Sequence, residues 1–374
     1  MNIVYILDNF FPYIGGVENV FKNIVELMSK NPNNSITVIT SKSGLNLPST
    51  DYLNNVKIIR VCPNRYLFSF FSFPTIIKYS INADILHTTT YNAALATFLA
   101  NLFLHKKTVI HVHEIFDNLW YKFLGLKGFF YRLFEKTILT IPFDHYICVS
   151  NSTSNILKKT TNIPASKIST IYSGIDYSIW DKKKYSQESI NLVKNNLNLK
   201  NKYTCLFFGR PGISKGLESY LKAIPNIISK ISNFHALLII SQDDQKRYLY
   251  IKSLISELKI DNHITIHPPV KYNQLPLFIL SVNLVIVPSL SEGFGFCAAE
   301  TSALKQNIVV SDTTSLPEAV SGQVNFFKPG DSDSITDAII KSYSLQFQSI
   351  HSKKFFWSDA IKKIEKVYEN CFSN

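Results

Sequence analysis

Glu292 and Glu300 flank a glycine-rich turn in residues 288–303, PSLSEGFGFCAAETSA. Glycine lets a backbone approach a ligand closely, and the N–H groups at a helix start favour an anion, so residues 293–297 are typical of a phosphate site. A carboxylate beside an anion is unfavourable unless it binds something else, and a pair of sugar hydroxyls can donate to both of its oxygens. The stretch therefore suggests a nucleotide sugar, with phosphate in the middle and a polyol on either side.

Two other interpretations fit the same residues. The letters GFGFCA match the G-x-G-x-x-A pattern of dinucleotide-binding turns, and Asp312 lies near the distance at which a ribose-binding acid is expected. A tight strand-to-helix turn with two solvated glutamates also fits when the stretch is taken alone. The rest of the chain has to decide between them.

A second glycine-rich loop, GRPGISKG at residues 209–216, carries Arg210 and Lys215. It lacks the Gly-Lys-Ser/Thr ending of a P-loop. It directly follows a predicted strand, and ligands bind outside the carboxyl ends of parallel strands, so we expect both cations to converge on one diphosphate. For either cation alone, a solvated surface charge is the simpler interpretation.

Two features of the first half lie at similar positions. Gly16, in GGVE after the first predicted strand, is either part of a plain turn or a backbone contact for an anion. His113 ends the fifth predicted strand beside Glu114; a lone histidine is usually satisfied inside a core, but this position favours one that faces a substrate. His111 lies on the same face of the strand, and two such histidines suggest a metal site, but no third ligand at a suitable spacing supports one.

Short β-branched runs alternate with longer helical patterns along the whole chain. This alternation predicts two parallel sheets covered by helices on both faces. The first sheet is predicted to contain residues 3–7, 36–40, 56–61, 85–87, 108–112 and 146–149. The second is predicted to contain residues 203–208, 236–240, 264–267, 284–287 and 308–310. The motif YSGID at residues 172–176, followed by the polar run 181–202, indicates the crossing between two domains.

Length and composition narrow the class of protein. A chain of 374 residues with 46% hydrophobic content is long enough for two globular cores. The net charge of +12 predicts an anionic partner, although charge alone does not select nucleotide, nucleic acid or membrane. Five scattered cysteines without a C-x-x-C pair suggest neither disulfides nor zinc, and the start lacks the basic region of a signal peptide. We expect a protein of the reducing cytosol.

The segment that begins at Leu119 and ends at Leu139, LWYKFLGLKGFFYRLFEKTIL, mixes aromatic and basic residues. Such a pattern is typical of an amphipathic helix at a membrane surface. A helix that buries its aromatic face in the domain core fits equally well. Aromatic and basic residues together also occur in proteins that bind single-stranded nucleic acid, but no recognition motif for it is present, and we expect no nucleic-acid partner.

Taken together, these motifs resemble those of the family 4 glycosyltransferases, retaining enzymes of the GT-B fold that use nucleotide sugars. The resemblance runs along almost the whole chain, through GGVE, HVHE, YSGID, FGRPGISKG, PSLSEGFGFCAAE, LPEAVSG and a late aromatic helix. The most specific part is the pair Glu292 and Glu300, separated by seven residues, combined with Arg210 and Lys215.

The resemblance implies an α/β architecture of two Rossmann-like, doubly wound domains that face each other across a cleft. The acceptor-side domain is expected at residues 1–180, with the C-terminal helix, about 355–374, crossing back to it. The nucleotide-sugar-binding domain is expected at residues 181–354.

The resemblance also implies a role for each site residue. Arg210 and Lys215 would neutralise the leaving diphosphate without a metal ion, Glu300 would bind the ribose and Glu292 the transferred sugar. His113 would lie near the anomeric carbon, so the residues expected in catalysis are His113, Glu292, Arg210 and Lys215. The residues expected to bind the donor are Gly16, Gly209, Arg210, Lys215, Glu292, Gly293, Phe294, Gly295, Phe296, Cys297 and Glu300.

The expected function is transfer of a hexose from a nucleotide sugar, UDP-sugar before GDP- or ADP-sugar, to a glycan or lipid-linked acceptor in cell-surface polysaccharide or glycoconjugate synthesis. No cofactor beyond the donor is expected. The alternatives are a GT-B nucleotide-sugar epimerase, a glycan phosphorylase and a noncatalytic glycan-binding or assembly module, with a dehydrogenase last. We expect a cytoplasmic monomer or weak dimer that contacts the inner face of an anionic membrane through the segment from Leu119 to Leu139.

Overall fold

The chain divides into two compact units, seen in a computed structural model that describes residues 1–13, 15–42 and 44–373. The first unit comprises Met1–Gly174 and Phe355–Asn374, and the second comprises Ile175–Lys354. The boundary follows Gly174, within the YSGID motif that indicated the crossing, whereas the expected first domain extended to residue 180.

The helices and strands alternate along both units. The strands are β1 (Asn2–Ile6), β2 (Ser35–Thr40), β3 (Thr50–Leu53), β4 (Val56–Arg60), β5 (Ile85–Thr89), β6 (Lys107–Val112), β7 (His145–Cys148), β8 (Ile168–Thr170), β9 (Tyr203–Gly209), β10 (Phe234–Ile240), β11 (Ile264–His267), β12 (Leu284–Val287), β13 (Ile308–Ser311), β14 (Gly322–Phe327) and β15 (Gln348–Ile350). The helices are α1 (Gly16–Met28), α2 (Phe68–Phe71), α3 (Phe73–Ser80), α4 (Asn92–Leu104), α5 (Leu119–Leu124), α6 (Gly128–Leu139), α7 (Asn151–Thr160), α8 (Gln187–Asn196), α9 (Leu217–Lys230), α10 (Gln245–Glu257), α11 (Leu275–Leu280), α12 (Phe296–Ala303), α13 (Leu316–Ala319), α14 (Ser332–Tyr343) and α15 (Trp357–Ser373). Short 3₁₀ helices cover Arg65–Leu67, Gly125–Lys127, Ala165–Lys167, Lys182–Lys184, Ile213–Lys215 and Asp261–His263.

Each unit is built on one mainly parallel sheet. In the first unit the strand order is β3-β4-β2-β1-β5-β6-β7-β8, and β3 alone among these pairings runs antiparallel to its neighbour. In the second unit the order is β11-β10-β9-β12-β13-β14-β15, with β15 antiparallel to β14. The α/β prediction is therefore confirmed, although the sequence analysis missed β3, β8, β14 and β15.

Helices cover both faces of the first sheet. Successive residues of a strand point to opposite faces. Val4 and Ile6 of β1 share a buried cluster with α4, and a second buried cluster joins β6, α4 and α6, so α4 and α6 lie on one face. Tyr5, which points the other way, packs edge-on against Phe21 of α1.

The terminal helix α15 returns to the first unit, as predicted, and packs on that second face of the sheet. Its Tyr368 is fully buried and lies 3.0 Å, oxygen to oxygen, from the hydroxyl of Tyr5. The helix enters this position beside Gly174, where a Cβ atom would lie 2.3 Å from the Trp357 ring. Residue 174 therefore has to be glycine if Trp357 is to pack there.

Within the described residues, no helix is both long and apolar enough to span a bilayer.

Candidate active site

Two loops of the second unit are locked together at the carboxyl edge of its sheet. They follow β9 and β12, which are neighbouring parallel strands. The amide of Leu290 donates a hydrogen bond of 2.7 Å to the carbonyl of Ser214. Gly216 has a φ of +64°, and a Cβ atom there would lie 2.0 Å from the Pro288 carbonyl oxygen. Only glycine permits this approach, so the loop that carries Lys215 has a defined position against the loop that carries Glu292.

Lys215 and Glu292 form an ion pair where these loops meet. The distance from Lys215 Nζ to Glu292 Oε1 is 2.7 Å, and Ser289 Oγ donates to the same oxygen at 2.7 Å. The Glu292 amide donates to Thr314 Oγ1 at 3.0 Å, and Ser315 Oγ donates to the Glu292 carbonyl at 3.0 Å. Lys215 and Ser289 therefore hold the half-buried Glu292 carboxylate, while Thr314 and Ser315 hold its backbone.

Glu300 lies in α12 with its side chain 5% exposed. Tyr272 Oη donates to Glu300 Oε1 at 2.9 Å and accepts a hydrogen bond from the buried Trp180 Nε1 at 2.7 Å. Burial raises the pKa of Glu300 from 4.5 to about 8, although the hydrogen bond from Tyr272 lowers it. Burial, and then the nearby Glu300 charge, also raises the pKa of Tyr272, which thus remains a neutral donor.

The turn between the two glutamates leads directly into α12. Gly295 caps this helix with a φ of +88°, and a Cβ atom there would lie 2.9 Å from Leu316. Phe294 is buried and packs edge-on against Phe296, with their ring centroids 5.0 Å apart. Cys297 is half-buried, and its thiol pKa is raised by burial. Gly293 lies half-buried between Glu292 and this buried ring.

Gly209 and Arg210 follow β9 at the same edge. Gly209 has a φ of +133°, and nothing lies within 4 Å of the position that a Cβ atom would take. Arg210 is exposed. An ion pair lies next to Arg210: Arg247 of α10 contacts Glu218 of α9. Arg247 Nε also donates a hydrogen bond to the carbonyl of Pro211 and so supports the loop. The loop thus has a rigid base beneath an open surface.

In the first unit, three histidine rings form a stack. His87 of β5 lies 5.5 Å from His111 of β6 and His111 lies 4.8 Å from His113, centroid to centroid, with interplanar angles of 9° and 11°. Phe21 of α1 packs edge-on against all three rings. His87 Nδ1 lies 2.5 Å from the hydroxyl of Tyr368 in α15.

Burial determines the charge of this histidine stack. It lowers the pKa of His87 and of His113 to about 3, and it lowers the pKa of His111 well below its usual value. All three imidazoles are therefore neutral at ordinary pH. The Nε2 atom of His113 is buried and has no hydrogen-bond partner among the described residues. No carbonyl of these residues satisfies this atom, as one would in an ordinary core histidine.

Gly16 is the first residue of α1, and nothing lies within 4 Å of the position that its Cβ would take. The start of α1 therefore offers an open approach to its backbone.

Across residues 1–13, 15–42 and 44–373, no group of three or more His, Cys, Asp or Glu side chains is arranged to hold a metal ion.

Two family models together match most of the chain. Glycosyltransferase Family 4 matches residues 14–178, and Glycosyl transferases group 1 matches residues 189–355. The chain belongs to the family 4 glycosyltransferases.

Similar proteins agree with this assignment. The phosphatidylinositol N-acetylglucosaminyltransferase GPI3 subunit of Saccharomyces cerevisiae is 23% identical over 100% of this chain and 83% of its own. An uncharacterized glycosyltransferase of Methanocaldococcus jannaschii, MJ1607, is 26% identical, and the match covers 60% of this chain and 59% of the relative. The crystal structure of Anabaena Alr3699/HepE in complex with UDP-glucose gives a TM-score of 0.80 at 15% identity, covering 99% of this chain and 100% of that one. The fold of this family 4 glycosyltransferase is GT-B.

The structure distributes the predicted site residues of this glycosyltransferase over both units. It brings Lys215 into contact with Glu292, although sequence analysis gave them separate targets on the donor. The residues Gly209, Arg210, Gly293, Phe294, Gly295, Phe296, Cys297 and Glu300 lie in the same unit, whereas Gly16 and His113 lie in the first.

Sequence analysis missed Tyr272 and Trp180, which hydrogen-bond in series to Glu300. Tyr272 follows β11, so the rule that directs attention to residues after strand ends would have identified it. Trp180 lies near the start of the second unit, just before the polar run 181–202, and no pattern in the sequence of the glycosyltransferase indicates its contact.

Proposed function

We propose that this glycosyltransferase is a metal-independent hexosyltransferase that transfers a sugar from a nucleotide sugar with retention of anomeric configuration. One arrangement carries the proposal: Lys215 contacts Glu292 where two glycine-shaped loops meet, and Glu300 is buried nearby in α12. Cations and carboxylates at the carboxyl edge of a parallel sheet suit a ligand with a diphosphate and hydroxyl groups on both sides of it.

The donor site is proposed to work by charge neutralisation. Arg210 and Lys215 bind the diphosphate and stabilise the negative charge that develops as it leaves, in place of a divalent ion. Glu292 accepts hydrogen bonds from the transferred sugar, and Glu300 accepts them from the ribose. Lys215 then exchanges part of its contact with Glu292 for the phosphate. The phosphates and sugar lie against two pieces of backbone. One is that of Gly209, and the other is the turn formed by Gly293, Phe294, Gly295, Phe296 and Cys297.

Two residues of the first unit complete the proposed roles. Gly16 allows the donor phosphates or the acceptor to approach the start of α1. His113 supports the sugar or the departing charge near the anomeric carbon. Its neutral ring suits a hydrogen-bonding role and does not suit a general acid, because its pKa is lowered to about 3.

The chemical step is proposed to occur on one face of the sugar. The bond between the anomeric carbon and the leaving phosphate oxygen breaks while the acceptor oxygen approaches from the same side. The acceptor's proton passes to the leaving phosphate oxygen, so no enzyme nucleophile is required and the configuration is retained.

The relatives support narrower choices of donor and acceptor. The Anabaena neighbour was solved with UDP-glucose, which favours a UDP-sugar over GDP- and ADP-sugars. The yeast relative is named for transfer of N-acetylglucosamine to phosphatidylinositol, which favours a lipid-linked acceptor over a free glycan. We propose that the protein acts in cell-surface polysaccharide or glycoconjugate synthesis as a cytoplasmic monomer or weak dimer at the inner face of the membrane.

Thermal-shift measurements with UDP-, GDP- and ADP-sugars test the donor proposal. A ligand that binds only the native state at a hundred times its Kd adds about 2.7 kcal/mol of stability, so the true donor should raise Tm by several degrees. A matched pair, Arg210→Ala and Lys230→Ala, separates the diphosphate contact from general charge, because Lys230 ends α9 on the exposed surface. If none of the UDP-, GDP- and ADP-sugars raises Tm, the donor proposal is refuted.

Product analysis separates the enzyme classes. Incubation of the bound nucleotide sugar without an acceptor should leave it unchanged in a transferase and convert it in an epimerase. With an acceptor, NMR of the new anomeric centre should show the donor's configuration. Inversion would refute the proposed chemistry while leaving donor binding intact.

A further inference from the structure

We propose that a basic cavity beside α6 binds the phosphate headgroup of an anionic membrane lipid while the exposed face of α6 enters the bilayer. The inference rests on the proposed function in one respect, namely that a lipid-linked acceptor must be met at a membrane. The cavity and the exposed helix face both lie in the first unit.

The cavity has a volume of about 240 Å³ and is lined by Arg132 and Lys136 of α6 and by Lys159 of α7. Two acids, Asp117 and Glu135, also line it. Arg132 Nε donates to Asp117 Oδ1 at 2.7 Å, so these two charges largely cancel. Lys136 and Lys159 are exposed, and within the described ranges no carboxylate lies at ion-pair distance from either. The positive charges of these two lysines are therefore not neutralised within the described part of the chain, and the cavity favours an anion.

The second acid, Glu135, is already engaged. It is almost fully buried and accepts hydrogen bonds from the hydroxyl of Tyr91 at 2.9 Å and from the amides of Phe116 at 3.1 Å and Asp117 at 2.8 Å. Burial raises the pKa of the Glu135 carboxyl. Its structural task is thus to hold the loop before α5, and it does not compete strongly for the lysines.

An apolar strip adjoins these cations on the surface of α6. Phe129, Phe130 and Leu133 are exposed, with 70% of Phe130 accessible. Residues three or four positions apart are neighbours on a helix surface, so Arg132 and Lys136 stand along one edge of the strip. A helix with exposed aromatic residues bordered by basic residues is typical of one that lies in the headgroup region of a bilayer. The alternative that the segment from Leu119 to Leu139 buries its aromatic face in the core is wrong, because the aromatic residues of α6 between positions 129 and 134 are all exposed.

The apolar surface continues from α6 onto neighbouring helices of the same face. Helix α4 shares one buried cluster with α6 and packs against α2 and α3 on its other side. Phe70 of α2 is 78% exposed and Phe103 of α4 is 72% exposed, and Leu126 before α6 is 93% exposed. Soluble monomers rarely expose large apolar side chains in such number on one layer, which indicates a surface that is covered in use.

Charge selects what covers this surface. A second copy of the chain, with its net charge of +12, would bring an excess of positive charge to the lysines at the edge. A bilayer that contains anionic lipids offers acyl chains to the apolar strip and phosphates to the cavity at its border. The geometry therefore favours the lipid surface.

Vesicle flotation tests the cavity. The full chain is mixed with vesicles of phosphatidylcholine alone and with vesicles that contain phosphatidylglycerol. Each lysine near an anionic surface contributes about fivefold to partitioning, so Lys136→Ser/Lys159→Ser should lower binding to the anionic vesicles about 25-fold. The control, Lys362→Ser/Lys363→Ser, removes the same charge from exposed positions of α15 on the other face of the sheet and should keep wild-type binding.

A second pair of variants tests the apolar strip. Phe130→Ser/Leu133→Ser should reduce partitioning at least tenfold, whereas Leu249→Ser/Leu345→Ser removes equally exposed apolar side chains from the second unit and should not. All four side chains replaced in these variants are exposed, so thermal unfolding should be unchanged. Equal loss in the control variants, or equal wild-type binding to both vesicle types, would overturn the proposal. A third result would also overturn it: the wild-type chain binds no vesicles but forms a concentration-dependent dimer in sedimentation, and Phe130→Ser disrupts that dimer.

Donor binding, measured on the same samples, keeps this proposal distinct from the proposed function. The cavity variant should retain the wild-type thermal shift with a UDP-sugar. Vesicle binding without any donor-induced shift would remove the proposed function and leave the lipid site standing. A donor-induced shift without vesicle binding would overturn the lipid site alone.

Discussion

Donor affinity should rise with pH because of Glu300. If this carboxylate accepts hydrogen bonds from the ribose hydroxyls, the donor binds the ionised form and not the protonated one. Burial raises the pKa of Glu300 to about 8, so the protonated form predominates in the donor-free protein at neutral pH. Binding should then release a proton, and the affinity should increase until the carboxyl is ionised before the donor arrives.

The magnitude follows from the fraction of ionised carboxyl. At pH 7 about one tenth of the donor-free protein carries the charge, so the apparent Kd is about tenfold above its limiting value, and at pH 6 about a hundredfold. Above about pH 9 the affinity should level off. The same raised pKa means that the free energy of unfolding falls as pH rises from 4.5 to about 8, by roughly 5 kcal/mol at most.

Calorimetry with a UDP-sugar between pH 6 and 9.5 measures both quantities. Two buffers of different ionisation enthalpy report the proton released, which should approach one per donor bound at pH 7. Glu300→Gln should abolish the pH dependence and the proton release. Tyr272→Phe removes a hydrogen bond that lowers the pKa, so the affinity profile should move to higher pH. It also leaves the buried Trp180 Nε1 unpaired, which should cost about 1–3 kcal/mol of stability.

Two results would refute this reasoning. Equal affinity at pH 6.5 and 8.5, with no proton exchanged, would mean that the donor does not distinguish the two forms of Glu300. A pH dependence that persists unchanged in Glu300→Gln would assign it to another group.

Three further predictions concern the loops and the histidine stack. Gly216→Ala should destabilise the protein by on the order of 3 kcal/mol in thermal or urea unfolding, because its Cβ would meet a backbone carbonyl, whereas Gly212→Ala has open space and should change stability little; similar values for both would contradict the loop geometry. Lys215→Ala should lower kcat about 10²- to 10³-fold in initial-rate measurements at saturating donor, and Lys222→Ala, exposed on α9, should not; full turnover in the first variant would reject the role assigned to it. Because the pKa of His113 is lowered to about 3, kcat at saturating donor should show no inflection near pH 6.5, and an acid limb there that disappears in His113→Gln would show that the ring titrates in catalysis.

Much of the fold could be predicted because buried parallel strands are continuous apolar runs. The strands recognised in advance, such as β10 and β12, are buried along their whole length. The strands that were missed carry a weaker signal. β3 and β8 are half-exposed edge strands, and β15 is a short antiparallel edge strand of three residues. β14 is interrupted by polar residues, including a buried Asn325 that α14 satisfies through Ser342.

The candidate site was predictable to the extent that its residues follow strands. The positions after β9 and β12 stood out because glycine, lysine and glutamate occur where an apolar run ends. Their pairing did not, since Lys215 and Glu292 are 77 positions apart and meet only because β12 lies beside β9 in the sheet. A linear pattern indicates strands but not their lateral order.

The amino-acid sequence by itself determined the periodic alternation of strands and helices, and with it the edge of each sheet at which glycines, cations and carboxylates collect. These properties depend on local geometry and on which side chains avoid water. Tertiary structure decided the partners: the Tyr272 hydroxyl on Glu300, the neutral stack of three histidines, and the aromatic face of α6 that remains uncovered. Each of these depends on burial and on distances between segments remote in the chain, and burial is a property of the assembled unit, not of any stretch within it.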